Sequence, residues 1–108
     1  MPKIIDNDYS KLEIKAIEDQ AQFIKWFNLD KDFRVERWAY PTIYQKRTWL
    51  PDRGIGYISF STIFPKATIY LRRSVYTEFV SPIYDMCARY ESAYSDGIKF
   101  EIAMGTDR

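Results

Sequence analysis

The stretch KATIYLRR, residues 66–73, carries the clearest structural signal of the chain. Its apolar side chains fall on every second position, at Ala67, Ile69 and Leu71. Between them stand polar, aromatic or basic residues: Lys66, Thr68, Tyr70 and Arg72. Because successive side chains of a β-strand point to opposite faces of the sheet, this alternation predicts a strand with one buried and one solvated face.

Three further strands are predicted upstream of this stretch, over residues 33–40, 42–50 and 55–64. These segments are rich in β-branched and aromatic residues, which favour strands. The break between the first two lies at Tyr40-Pro41, because proline lacks the N–H that a sheet ladder requires. Residues 50–54, Leu-Pro-Asp-Arg-Gly, predict a turn between the second and third strands, and Pro65 separates the third from residues 66–73.

The ends of the chain supply two predicted helices and two more predicted strands. Residues 11–17 alternate apolar and charged residues and therefore predict an amphipathic strand, after which the period changes and predicts a helix over 18–28. Ser81-Pro82 is interpreted as an N-cap followed by proline at the first helical position, so a second helix is predicted over 82–95. Residues 98–104 alternate again and predict a last strand.

The resulting order, β-α-β-β-β-β-α-β, predicts an α+β fold in one domain, residues 1–108, with residues 1–10 as a candidate flexible arm. We expect an antiparallel-dominated sheet of about five or six strands with two helices on one face. A ferredoxin-like core with an extra hairpin is compatible with this order.

The residue inventory argues against most catalytic chemistry. The chain has no histidine, so it lacks the usual general base, the commonest metal ligand and the Ser-His-Asp arrangement. One cysteine, Cys87, is too few for a structural zinc site or a redox pair. We therefore predict no catalytic residues, no metal site and no cofactor. Neither an N-terminal apolar leader nor a long apolar run is present, so we expect a cytoplasmic protein without a membrane partner.

The formal net charge of +1 hides an uneven distribution of charge along the chain. Residues 31–75 carry nine basic and three acidic side chains, whereas residues 1–30 carry four and six, and residues 76–108 carry three and six. The middle segment also contains many aromatic residues, and cations with exposed rings can hold phosphates and stack bases. The candidate binding surface comprises Arg34, Arg37, Lys46, Arg47, Lys66, Tyr70, Arg72 and Arg73.

Two alternatives accompany this surface. The basic strands can simply form a solvated sheet face that pairs with the acidic helices, since exposed ion pairs are common. The second helix offers another candidate protein interface, formed by Tyr84, Tyr90 and Tyr94, because exposed tyrosine is enriched at interfaces; a homodimer is among its outcomes.

We therefore expect a small non-enzymatic binding or regulatory protein, acting on a macromolecular partner through a basic, aromatic sheet surface. A protein or nucleoprotein machine, which the chain would regulate or inhibit, ranks slightly above single-stranded nucleic acid as that partner. An enzyme using carboxylate, tyrosine and arginine side chains is the third interpretation.

Overall fold

A computed structural model describes residues 6–37, 40–61 and 64–106, with helical backbone alone for residues 6–13. The elements in chain order are helix α1 (Asp6–Phe27), strands β1 (Phe33–Arg37), β2 (Pro41–Gln45), β3 (Arg53–Phe60) and β4 (Lys66–Leu71), a short 3-10 turn (Arg73–Val75), helix α2 (Tyr76–Ala93) and strand β5 (Lys99–Met104).

The five strands form one sheet in the sequential order β1-β2-β3-β4-β5. The first four pair antiparallel as a meander, and β5 pairs parallel to β4 after the crossover through α2. Both helices pack on the same face of the sheet, where Phe27 of α1 and Phe79 of α2 each contact Phe33. The predicted α+β class, with a mostly antiparallel sheet and two helices on one face, is confirmed.

Residues 11–17, predicted to be a strand, lie instead within α1. Strand alternation would require one face of this segment to be buried, but Ile14 and Ile17 are both more than half exposed. The residues that α1 buries, from Asp19 to Phe27, are spaced as on one helix face. Without a first strand the βα unit of a ferredoxin-like core is missing, and the sequential strand order is not that of a ferredoxin-like sheet.

Helix α2 begins earlier than the sequence predicts. The sequence predicts Ser81 as the N-cap, but α2 starts at Tyr76, and Pro82 lies inside the helix. The buried stripe explains the difference, because Val75 and Phe79 continue it upstream of Ile83 at helical spacing. Burial of these two side chains favours one long helix even though Pro82 has no N–H to donate to the preceding turn.

Residues 1–5 lie outside the described residues, so the arm over 1–10 stays a prediction.

The core is an aromatic cluster centred on Phe23 of α1. Its ring is fully buried and lies 5.1 Å from the ring of Tyr90 in α2 and 4.5 Å from that of Phe100 in β5, measured between centroids. It also contacts Phe60 of β3 edge-on, at 6.4 Å. Phe23 therefore joins both helices to the sheet.

A β-bulge interrupts the pairing of β2 with β3. Ile43 pairs with Gly56, but the next residue, Tyr44, pairs with Gly54, so Ile55 is an extra residue on β3. Ile55 and Gly56 are consequently both buried, although they are neighbours in a strand. Gly56 lies so close to β4 that a Cβ atom there would overlap the Tyr70 carbonyl oxygen.

The outer edge of β1 is capped at Val35 by one side chain, Asn28, just after α1. Its Oδ1 accepts a hydrogen bond from the Val35 N–H at 2.7 Å, and its Nδ2 donates to the Val35 carbonyl oxygen at 3.3 Å. The carboxamide thus occupies both outward backbone groups of Val35, in the middle of β1. Blocked edges of this kind protect a sheet against pairing with other chains.

Asn28→Ala is expected to lower the free energy of unfolding by about 1 kcal/mol, because two hydrogen bonds to β1 are exchanged for bonds to water. Leu29→Ala is the matched control, since Leu29 is 79% exposed and its loss should cost almost nothing. Urea denaturation of both variants measures the difference. Equal stabilities would show that the Asn28 side chain does not support the edge.

Candidate binding face

The face of the sheet opposite the helices is not covered by any described element. Its central feature is a row of three tyrosines, two on the neighbouring strands β3 and β4 and one, Tyr40, just before β2. Tyr57 of β3 stacks on Tyr70 of β4, with centroids 5.1 Å apart and ring planes 20° from parallel, and Tyr40 lies 6.1 Å from Tyr57 on the other side. The pairing of Tyr57 with Tyr70 in the ladder brings these two rings together.

These rings line a shallow groove with a volume of about 730 Å³. Gly54 and Gly56 form part of its wall. We call this surface the tyrosine face, defined by its side chains Tyr40, Thr42, Tyr57, Ser59, Tyr70 and Arg72. Tyr40 is 69% exposed and Tyr57 41%, so each offers part of its ring to a ligand.

Arg72 is the cation of the tyrosine face. Its Nη1 donates to the Gly54 carbonyl oxygen at 3.3 Å, which fixes the guanidinium at one end of the groove. Arginine beside tyrosine combines a charged fork with aromatic surface, a combination that is frequent at interfaces. Tyr70 and Arg72, both candidates from the sequence, line this groove.

The other candidate cations do not converge on the groove. Arg34 forms ion pairs with Glu36, at 2.7 Å, and with Asp52, and its guanidinium lies 4.3 Å above the Tyr44 ring. Its hydrogen bond lowers the pKa of the Asp52 carboxyl. Lys66 pairs with Glu101 at 3.1 Å, near the opposite end of the sheet. At these positions carboxylates within the fold offset the positive charge.

The remaining basic candidates lie at the ends of the strands. Arg37 donates to the side-chain oxygen of Gln20 on α1 at 3.1 Å. Lys46 and Arg47, in the loop after β2, donate to the carbonyl oxygens of Asp30 and Pro51, both at 2.8 Å. Arg73 is exposed at the 3-10 turn. The segment that is basic in sequence is therefore not one continuous basic patch in the fold.

The tyrosines of α2 occupy three different environments. Tyr84 is 64% exposed, whereas Tyr90 is fully buried beside Phe23. The prediction from the sequence that Tyr90 forms part of an interface is therefore wrong. Its hydroxyl lies 3.3 Å from the side-chain oxygen of Gln22, and burial raises its pKa to about 12. Tyr94 is half-buried against the Tyr90 ring. Only Tyr84 presents most of its side chain to solvent.

Cys87 lies buried on α2, and burial raises the pKa of its thiol to about 12. The described residues contain no group of three acidic, cysteine or histidine side chains arranged to hold a metal ion. Across the same part of the chain, no helix combines the length and apolar character needed to span a bilayer.

Tyr40, Tyr57, Thr42 and Ser59 were not among the predicted site residues. Tyr57 could have been predicted from the sequence, because it occupies one of the alternate, polar positions of its strand, as Tyr70 does in the next strand.

No family model matches the chain, and no curated protein or solved structure is significantly similar to it.

Proposed function

We propose that the chain is a non-enzymatic binding protein that engages a partner protein through the tyrosine face. The observation that carries this proposal is the row of three tyrosines beside Arg72 on an open sheet. Tyrosine and arginine supply most interface hot spots, because they combine a large contact area with a polar end.

The distribution of charge favours a protein over a nucleic acid as that partner. Nucleic-acid affinity rests on cations that replace the counterions of phosphates. On this face, however, Arg34 and Lys66 already pair with Asp52, Glu36 and Glu101. A nearly neutral aromatic groove with one arginine resembles the core of a protein interface, from which most charge is depleted.

Single-stranded nucleic acid is the second candidate, supported by the stacked pair of Tyr57 and Tyr70. Aromatic rings on an open sheet stack bases without regard to sequence. The salt dependence of binding separates the two candidates, because affinity for a nucleic acid falls steeply with rising salt.

Tyr57→Ser and Tyr70→Ser are expected to weaken binding of the partner protein by about 30-fold, corresponding to the ~2 kcal/mol that defines a hot spot. Affinity capture from nuclease-treated extract of the source cells, followed by calorimetry with the captured protein, measures this loss. Leu29→Ser is the control, since Leu29 is exposed at the end of α1, away from the groove. Circular dichroism confirms that each variant is folded.

A stoichiometric partner lost with Tyr57→Ser but retained with Leu29→Ser would support the protein interface. Binding that both tyrosine variants retain would contradict it. In a parallel titration, oligo-dT or oligo-U binding that depends on Tyr57 and weakens steeply with salt would favour the nucleic-acid alternative instead.

A further inference from the structure

The two edges of the sheet differ in how their backbone groups are occupied. At β1 the Asn28 carboxamide takes both outward groups of Val35. At β5 the Lys99 and Gly105 N–H groups bond to β4 or its flanks, at 2.8 and 2.7 Å. The backbone N–H and C=O groups of successive residues point to opposite sides of a strand. The backbone groups of Phe100, Ile102 and Met104 therefore point away from β4.

One of these outward groups at β5 already has an acceptor. The Phe100 N–H donates to Oε2 of Glu91, on α2, at 2.8 Å. No described strand lies beyond β5, so Ile102 and Met104 direct their backbone groups to an open side of the sheet. An open edge is a template on which another strand can pair.

A groove with a volume of about 600 Å³ runs beside this edge, between α2 and β5, and its lining is mostly apolar but includes Glu91 and Glu101. Tyr76, Val80 and Tyr84 line it from the helix, and Phe100 and Ile102 from the strand. Met104, on the same face of β5 as Phe100, is 51% exposed, and Tyr84 is 64% exposed. The edge thus carries both an apolar cleft and an exposed apolar side chain four residues from Phe100.

This spacing makes the edge complementary to itself. If two β5 strands pair antiparallel about a two-fold axis at Ile102, Met104 of each copy lies opposite Phe100 of the other, beside the groove. On the other face Glu101 then lies opposite Ala103 of the second copy, so no like charges meet. The Ile102 residues exchange two backbone hydrogen bonds, and each Phe100 N–H transfers from Glu91 to the Met104 carbonyl oxygen of the other copy.

The neighbouring registers are less favourable. A two-fold axis at Glu101 would place two carboxylates directly opposite each other, which is destabilising. An axis at Phe100 would pair only residues 99–101 within β5 and would leave Met104 outside the paired segment. An axis at Ala103 would shorten the paired segment. The length of the paired segment, charge and apolar contact therefore favour the axis at Ile102.

We propose that the chain forms a two-fold symmetric homodimer in which the β5 strands pair antiparallel about Ile102 and extend the sheet across both copies. The interface is isologous, since one surface meets itself. Each Met104 packs into the groove of the other copy, and the Tyr84 side chains, midway along α2, flank the axis. The tyrosine faces of the two copies lie on the same side of the continuous sheet.

Sedimentation velocity over a concentration series to about 100 μM tests this proposal, because dimerisation follows mass action. The wild-type chain is expected to sediment as a dimer at the upper concentrations. Ala103→Glu should raise the dissociation constant at least about tenfold, since each new carboxylate faces Glu101 of the other copy. Glu101→Lys added to Ala103→Glu should restore the dimer, because each pair then has opposite charges.

Cross-linking tests the register independently. Ile102→Cys should form a disulfide-linked dimer under mild oxidation, since directly opposite residues lie about 5.5 Å apart between Cα atoms, within disulfide range. Glu101→Cys is the matched control, and it should cross-link far less because its copies are offset along the paired strands. Buried Cys87 supplies the same background in both variants.

Three results would overturn the proposal. One is a wild-type chain that stays monomeric across the series. Another is a dimer that Ala103→Glu leaves intact or that the added Glu101→Lys does not restore. The third is preferential cross-linking at position 101, which would place the axis elsewhere. Near-UV circular dichroism separates a lost interface from a lost fold in every variant.

Discussion

Gly56→Ala is expected to lower the free energy of unfolding by about 3 kcal/mol or more, the upper end of the cost of overpacking a close contact. The added Cβ atom would overlap the Tyr70 carbonyl oxygen and stand 3.1 Å from the Leu71 Cα atom. Both obstacles are backbone, so no side-chain rotation relieves the overlap. β3 and β4 would have to separate at the centre of the sheet.

Gly54→Ala provides the matched control, two residues away on the same strand. Its Cβ atom would meet only the Tyr44 ring, at an ordinary contact distance of 3.7 Å. We expect this variant to be unchanged or slightly stabilised, because alanine restricts the unfolded chain more than glycine does. Guanidinium denaturation of the two variants measures the contrast. Similar stabilities would contradict the close approach of β3 to β4 at the bulge.

The second large effect is expected at Phe23, where alanine should cost about 3–5 kcal/mol. The phenyl ring is fully buried and meets rings from α1, α2, β3 and β5. Its removal leaves a cavity between the layers that rigid aromatic neighbours cannot fill. Losses of this size consume a large part of the stability of a small domain.

Phe23→Leu is the informative companion to the alanine variant. Leucine keeps the apolar volume near that of phenylalanine and should cost at most about 1.5 kcal/mol, provided the neighbours repack. In denaturation curves, the loss of stability from the wild type to Phe23→Leu reports the aromatic contacts. The further loss from Phe23→Leu to Phe23→Ala reports the buried apolar volume. A loss below about 1.5 kcal/mol for the alanine variant would show that Phe23 is not the centre of the core.

The meander from β1 to β4 could be predicted from the sequence because proline and glycine mark its turns. Tyr40-Pro41 separates the first two predicted strands, and Pro41 is indeed the first residue of β2. The alternation in residues 66–72 gives the two faces of β4 correctly. The bulge at Ile55 could not be predicted, because it depends on how β2 and β3 pair, which no local pattern contains.

The N-terminal segment shows where local pattern reading fails. Seven residues that alternate apolar and charged side chains indicate a strand only if one face is buried. In α1, however, Ile14 and Ile17 are largely exposed. With little burial to decide between periods, the helix-forming residues of the segment extend α1 instead. At Pro82, by contrast, burial does decide the structure. Burial of Val75 and Phe79 outweighs the usual preference of proline for a helix start, so α2 begins upstream of it.

The sequence predicts only part of the candidate site, because strand register and ion pairs arise only when the chain folds. The strand period placed Tyr70 on the open face, but the row with Tyr57 and Tyr40 depends on strand register. The charge count identified the basic segment and could not show which cations have partners. Arg34 meets Asp52 across 18 residues of chain, a contact that exists only after folding.

The wide separation in sequence of the core residues has a consequence for synthesis on the ribosome. Phe23 is synthesised before two of its closest partners, Tyr90 and Phe100, which follow it by 67 and 77 residues. At the usual rates of translation, about 5–20 residues per second, this interval lasts on the order of 4–15 s. During that time the nascent α1 lacks its cover, so chaperones that bind apolar helices have access to this chain before its core closes.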